Sequence, residues 1–169
     1  MQVPSVSVKI DITSLIGSRL SVKGSAEAVN FNVKARLDER ERKSQTVILG
    51  FGLLLTTKPS IVKFEIEGTA MLTGKDEDIR RMLEVDPETK VPRVLPRVYQ
   101  HAFTAMYLLS TILNTPPPPH DLLSSQNPPS PMEDVSVDMR TDTGETAKAA
   151  PLQPETKTEE KGEAVVTSK

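Results

Sequence analysis

The sequence contains no cysteine and no tryptophan among its 169 residues, and its aromatic residues are four phenylalanines and two tyrosines. The absence of cysteine excludes disulfides, zinc–thiolate sites and cysteine nucleophiles. A hydrophobic core must therefore be built mainly from aliphatic side chains. All of the aromatic residues lie between Phe31 and Tyr107, and nine of the fourteen prolines lie at or after Pro116. This uneven distribution divides the chain into two parts.

The two parts also differ in charge. Residues 1–115 hold 16 Lys and Arg against 13 Asp and Glu, whereas residues 116–169 hold 5 against 10. The first part is long enough for one core of modest size. The second is rich in Pro, Ser, Thr, Glu and Lys, a composition that cannot offset the entropy lost on ordering. The sequence therefore predicts a sheet-plus-helix domain over residues 1–115 and a Pro-rich, acidic, disordered tail over residues 116–169.

Four segments of the first part have a period of two, at 6–12, 29–37, 47–55 and 62–72, and all but the third alternate apolar with polar residues. Successive side chains of a strand point to opposite faces, so each segment predicts a strand. The third segment is apolar on both faces, which predicts a central strand covered on each side. The charged cluster 38–43 is interpreted as a solvated hairpin tip. Short connections between the strands predict a four-stranded antiparallel meander.

After Thr73 the apolar residues recur at helical spacing. A short helix is predicted at about 75–85, with an acidic first turn, and a long helix at about 95–114, with Pro96 in its first turn. Apolar residues cover more than half of the circumference of the long helix, and one sheet can cover only one side of it. The other apolar side of the long helix is therefore expected to pack against the same helix of another subunit or against a client. The predicted fold class is α+β, with the long helix packed on the sheet.

Enzyme chemistry finds little support in the sequence. No phosphate-binding, zinc-protease or serine-hydrolase motif occurs, and the two histidines are isolated. Glu65 and Glu67 share a strand face and could in principle act as an acid and a base. Lys63 beside them favours an ordinary solvated face. The sequence therefore predicts a protein that is not an enzyme, with no cofactor, no catalytic residue and no metal.

Nucleic acid and membrane are not expected as partners. The basic residues of segment 34–43 are interleaved with acidic ones, and no aromatic residue shares their face to stack on a base. The apolar region 95–113 is about as long as a membrane span, but it contains Arg97 and several polar side chains, so a soluble helix is predicted. Residues 1–7 lack the pattern of a signal peptide, so the protein is expected in the cytoplasm.

Three segments carry a resemblance to a known family: FEIEG at 64–68, LPRVY at 95–99 and TPP at 115–117. FEIEG resembles the last strand of the export chaperone SecB and its SecB-like relatives, LPRVY resembles the proline-aromatic opening of their long helix, and TPP resembles the proline at which their chain leaves that helix. The order of the elements around these segments resembles the same family. The resemblance covers about residues 5–120. It implies a holdase whose subunits tetramerise through sheet and helix, leaving an apolar groove for unfolded chains. The helix at 75–85, the long tail and the lack of a second C-terminal helix depart from the family pattern.

The leading hypothesis is a SecB-like holdase that works as a homo-oligomer, a dimer or a tetramer, and binds unfolded or extended polypeptides between sheet and long helix. The candidate contact residues are Phe51, Leu53, Leu55, Phe103, Tyr107 and Ile112. The acidic tail would keep such a particle soluble. The alternative is a non-catalytic oligomeric structural or adaptor protein, whose tail recruits a partner through the prolines at 116–119 or through its isolated apolar residues.

Overall fold

The structure, a computed structural model, describes residues 6–21, 29–123 and 135–140. These residues form one five-stranded sheet and two helices, which confirms the predicted α+β class. In chain order the elements are β1 (Ser7–Arg19), β2 (Asn30–Lys43), β3 (Thr46–Lys58), β4 (Val62–Thr73), α1 (Asp76–Leu83), α2 (Leu95–Leu113) and β5 (Val135–Arg140). Within the described part of the chain, no helix is both long enough and apolar enough to cross a membrane.

The strands lie in the order β1-β4-β3-β2-β5. β2, β3 and β4 are consecutive antiparallel neighbours, as predicted. β1 departs from a simple meander, because it pairs with β4 and not with β2. Alternation of apolar and polar residues decides which face of a strand is buried, but it does not decide which strand lies beside it. The connection over residues 20–29 is also longer than a tight hairpin turn requires.

The hairpin between β2 and β3 extends further than predicted. The charged cluster 38–43, expected to be the tip, is the last part of β2, and the turn consists of Ser44 and Gln45. Gln45 has a φ of 60°, the left-handed conformation that tight hairpin turns use. The charged side chains are compatible with a strand because they pair with one another. Arg42 donates to both carboxylate oxygens of Glu39, at 2.7 and 2.8 Å.

One side of the sheet, the inner face, carries the core. Its most deeply buried side chains are Val33, Leu37, Val47, Leu55, Phe64, Ile66 and Leu72. α2 packs on this face over β1 and β4. The approach is closest at Gly17, where an added Cβ would lie 3.0 Å from the Cδ1 atoms of both Leu109 and Leu113. β1 therefore uses a glycine to let the long helix lie against it.

The opposite side, the outer face, is not enclosed by any element that the structure describes. β3 is the central strand, as predicted. Its outward side chains Ile48 and Leu54 are only half-buried, and Gly50 lies under the side chain of Arg40. The expectation that both faces of β3 are covered is therefore corrected for the described part of this chain. Long charged side chains of the neighbouring strands shield the outer face in place of a second layer.

α1 is the short helix predicted after the fourth strand. Acidic residues 76–78 occupy its first turn, where they interact favourably with the positive end of the helix dipole. Ile79 and Met82 are buried in the core. The chain then forms an isolated bridge between Val85 and Pro92 before α2 begins. α1 and this loop together close one end of the inner face.

The fold continues past the predicted boundary at residue 115. Leu122 and Leu123 are each 3% exposed and belong to the same core cluster as the sheet. Residues 135–140 form β5, which pairs with β2. The predicted disordered tail is therefore corrected for these two segments, because local apolar side chains supply contacts that the average composition of residues 116–169 conceals. Residues 124–134 and 141–169 lie outside the described residues.

Candidate polypeptide-binding site

α2 begins and ends at residues suited to its two termini. Pro96 lies in the first turn, where its missing N–H would have no partner in any case. At the other end Asn114 adopts the left-handed conformation with a φ of 52°, and its N–H donates to the carbonyl oxygens of Ser110 and Thr111. Pro116 and the prolines after it cannot continue the helix. α2 is therefore a 19-residue helix with defined ends.

The buried face of α2 agrees with the apolar stripe expected from the sequence. Leu95, Val98, Ala102 and Met106 are completely buried, and Leu109 and Leu113 pack against the same core. Tyr99 is also buried, and its hydroxyl donates a hydrogen bond to the carbonyl oxygen of Pro119. This bond fastens the chain that follows α2 to the first half of the helix.

The other side of α2 carries large apolar side chains that remain in solvent. Tyr107 is 49% exposed, Leu108 58% and Ile112 77%, and Phe103 is half-buried. Residues four positions apart are neighbours on a helix surface, so Phe103 and Tyr107 form one ridge and Leu108 and Ile112 another. These four residues are called the exposed α2 face below. Apolar surface of this kind marks a site of interaction more often than single exposed residues do.

The second half of α2 and the segment that follows it, up to His120, carry no charged side chain. The sequence has no Asp, Glu, Lys or Arg between Val98 and His120. The hydroxyls of Ser110 and Thr111 both donate to the carbonyl oxygen of Tyr107, at 2.7 and 3.1 Å, so they are satisfied within the helix. A partner that covers this face would therefore not have to strip water from a charged side chain of α2 beyond Arg97.

Aromatic contacts hold one ridge of this face in place. The ring centroids of Phe103 and Tyr107 are 6.0 Å apart. The ring of His120 meets that of Phe103 edge to face, with centroids 5.3 Å apart and planes at 89°. Such geometry is the favoured one for aromatic pairs. The ridge is thus fixed from the side by the segment that returns after α2.

A recess of about 410 Å³ lies on the outer face of the sheet. Gly52 and Leu54 form its floor, Lys34 and Arg36 line it from β2, and Glu65 and Glu67 line it from β4. The floor is open because a Cβ at Gly52 would have its nearest neighbour 4.0 Å away. Glu65 forms an ion pair with Lys63 and Arg36 with Asp38. Charged side chains therefore line part of this recess, in contrast to the exposed α2 face.

The structure separates the six predicted contact residues into two groups. Three lie on the exposed α2 face: Phe103, Tyr107 and Ile112. The other three, on β3, are 3%, 2% and 0% exposed: Phe51, Leu53 and Leu55. These three are corrected, because the odd positions of β3 point into the core and are not accessible in the folded chain. Leu108 was missed, although its spacing of four residues from Ile112 places both on one ridge.

The groups with shifted pKa values lie on β2 and in the loop after α1. Two hydrogen bonds from Arg42 hold the pKa of the Glu39 carboxyl below its usual value. Backbone N–H groups of Glu88 and Thr89 lower the pKa of Asp86 in the same way. Among residues 6–21, 29–123 and 135–140, no group of three His, Cys, Asp or Glu side chains could hold a metal ion. Each of these shifts is explained by a local structural partner.

Comparisons with known proteins give distant likenesses. No protein-family model matches the chain, and no curated protein matches it. Among solved structures, it is similar to the Mycobacterium tuberculosis Rv1957 SecB-like chaperone in complex with a ChAD peptide from the Rv1956 HigA1 antitoxin, with a TM-score of 0.48 and 11% identity, covering 67% of this chain and 87% of that one. It is also similar to a Streptococcus agalactiae protein of unknown function, with a TM-score of 0.37 and 15% identity over 68% and 96% of the two chains.

Proposed function

We propose that this chain is a non-enzymatic, SecB-like holdase that binds unfolded or extended polypeptides through the exposed α2 face. The observation that carries the proposal is the exposure of Tyr107, Leu108 and Ile112 on a helix that has no charged side chain after Arg97. Client segments of this site are rich in aliphatic and aromatic residues. Without a client or a second subunit these side chains stay in water, which is unfavourable.

Binding of this kind depends on burial and not on the recognition of one sequence. Burial of apolar surface contributes about 25 cal/mol per Å², whatever the order of the client's residues. α2 is capped at its C-terminus by Asn114 and packed along its buried face, so the site loses little conformational entropy when a client binds. A rigid apolar ridge therefore suits a protein that must accept many unfolded chains.

We further propose that the chain acts in the cytoplasm as a homo-oligomer, a dimer or a tetramer. β1 supports this proposal, because this 13-residue strand is paired on one side only within the described sheet. The exposed edge of a long strand is a template for pairing with another chain. A second copy at this edge would extend the sheet.

A second candidate is a non-catalytic oligomeric structural or adaptor protein whose tail recruits a partner. The same exposed α2 face favours it, because α2 of another subunit would bury Leu108 and Ile112 as well as a client does. In that case the face is a permanent interface. Only the tail would then be left for recruitment.

The two candidates are distinguished by light scattering. A denaturant-unfolded, aggregation-prone polypeptide is diluted into buffer with the full chain, or with a chain that ends after Arg140 and so keeps every described element. Suppression of scattering at near-stoichiometric amounts supports the holdase. A stable oligomer that neither suppresses scattering nor binds an apolar dye supports the adaptor. A difference between the two chains reports on the contribution of residues 141–169.

A further inference from the structure

β5 is attached to the sheet differently from the other strands. It has only six residues, Val135–Arg140, and it runs parallel to β2, whereas the other pairings of the described sheet are antiparallel. Parallel pairing is slightly weaker per residue. None of the six side chains is fully buried. β5 is therefore held mainly by one backbone ladder, as a bound peptide is when it extends a sheet.

The register of β5 shows which of its side chains contact the fold. Its three inward positions lie opposite buried residues of β2: Val135 opposite Val33, Val137 opposite Ala35, and Met139 opposite Leu37. Val135 and Val137 pack against the core, and the alternate residues Ser136 and Asp138 are exposed. The edge of β2 thus accepts apolar side chains at alternate positions, and the side chains between them remain in solvent.

The third inward position adjoins unfilled space. Met139 is 36% exposed and lines a cavity of about 260 Å³ with the apolar side chains of Leu37, Leu49 and Leu83. The charged residues around this cavity are Glu39, Arg42, Arg80, Glu84 and Arg140. A larger apolar side chain at the position of Met139 would bury more surface there. β5 therefore fills this end of the β2 edge incompletely.

We infer that the edge of β2 opposite β3 is a docking site for extended polypeptide segments, and that β5 is the chain's own segment occupying it. The fitting segment has aliphatic residues at two alternate positions and a large apolar residue at the third. Backbone hydrogen bonds to β2 supply affinity, and the alternate side chains supply selectivity. This inference rests on the proposed function, since it adds a second surface that holds the same clients. β5 competes with each client for this edge.

The test uses the full chain and a fluorescent decapeptide with the sequence of residues 133–142. Val137→Asn places a polar amide at an inward position of β5 and should release it, whereas Ser136→Asn adds the same uncharged side chain at an exposed position, opposite Lys34, and is the matched control. If β5 occupies the edge about nine-tenths of the time, its release should tighten peptide binding about tenfold, with the control unchanged. A peptide carrying Met139→Phe should bind the released variant more tightly than the natural peptide does.

Equal peptide affinity of the Val137→Asn and Ser136→Asn variants would overturn the inference. So would unfolding of the whole domain by Val137→Asn, because β5 would then be an integral strand. Hydrogen exchange tests this directly: release of β5 should deprotect amides of β2 and leave those of β3 and β4 protected, and added peptide should restore the protection. Failure of the proposed function gives a different result. The peptide then still distinguishes the two variants, but the full chain does not suppress aggregation.

Discussion

Replacing Leu108 by Gln together with Ile112 by Ser should remove most of the polypeptide binding. Full burial of a Leu or Ile side chain is worth about 1.5–3 kcal/mol. Leu108 is 58% and Ile112 77% exposed. The remaining burial under a client is therefore worth about 0.9–1.7 kcal/mol for the leucine and about 1.2–2.3 kcal/mol for the isoleucine. The sum of about 2–4 kcal/mol corresponds to a roughly 30- to 700-fold loss of affinity.

The two substitutions are chosen so that helix stability hardly changes. Gln has a helix propensity close to that of Leu, and Ser one close to that of Ile. Exposed positions usually tolerate substitution within about 0.5 kcal/mol. The matched control is Gln100→Ser with His101→Gln, which introduces the same two residue types at exposed positions of the same helix. Both double variants should unfold at nearly the temperature of the unmodified chain.

Fluorescence anisotropy of a labelled unfolded polypeptide measures the affinity, and light scattering from the same samples measures the mass of the particle. If the Leu108→Gln, Ile112→Ser variant stays folded and binds within threefold of the unmodified chain, the exposed α2 face is not the client site. If it also falls apart into smaller particles, the face is a subunit interface, and the adaptor becomes the better account.

Three further predictions concern the fold itself. Gly68→Ala should lower the free energy of unfolding in urea by about 1–3 kcal/mol, because the new Cβ would press on a backbone oxygen of β1 and lie 2.7 Å from Cζ of Phe51. Gly52→Ala is the control that should be tolerated, since the nearest atoms to its new Cβ are 4.0 Å away. Equal effects of the two substitutions would contradict the register of β1 on β4. Leu123→Ala should lower the free energy of unfolding by about 2–5 kcal/mol, since the side chain is 3% exposed. A change near zero would show that this segment is not part of the core. The pKa of Glu39 is lowered from 4.5, so the carboxylate stabilises the fold above about pH 4.5 and this contribution disappears as the pH falls through the lowered pKa. The stability difference between the unmodified chain and Glu39→Gln should therefore shrink in acid, and a difference independent of pH would argue against the ion pair.

The strands are predictable from the sequence because burial in this sheet follows the period of two. In β2 the residues Phe31, Val33, Ala35 and Leu37 are all buried, and those between them are not. The buried stripe of α2 is predictable for the corresponding reason, since its members recur at three and four residues. Local periodicity thus fixes the elements and their core faces.

What periodicity cannot supply is the choice of neighbour. The alternation in β1 is satisfied equally beside β2 or β4, and the sheet places it beside β4. The apolar residues on both sides of β3 suggested two covered faces, but glycines at 50 and 52 and long flanking side chains leave the second face half-open. β5 was missed because the composition of residues 116–169 was averaged. The alternation of Val135, Val137 and Met139 with polar residues is itself a strand signal.

The two proposed polypeptide contacts lie towards opposite ends of the sheet. α2 packs on β1 and β4, and β5 lies beyond β2. With neighbouring strands about 4.8 Å apart, β1 and β5 are about 19 Å apart, a distance that six or seven extended residues span at about 3.3 Å each. With the six residues that pair along β2 and a few that cover α2, a segment of about 15 residues reaches both surfaces. The second contact then forms at the high effective concentration of a linked site. A folded protein seldom presents so long an extended segment, so two such surfaces, if both bind polypeptide as proposed, would select unfolded chains by their separation.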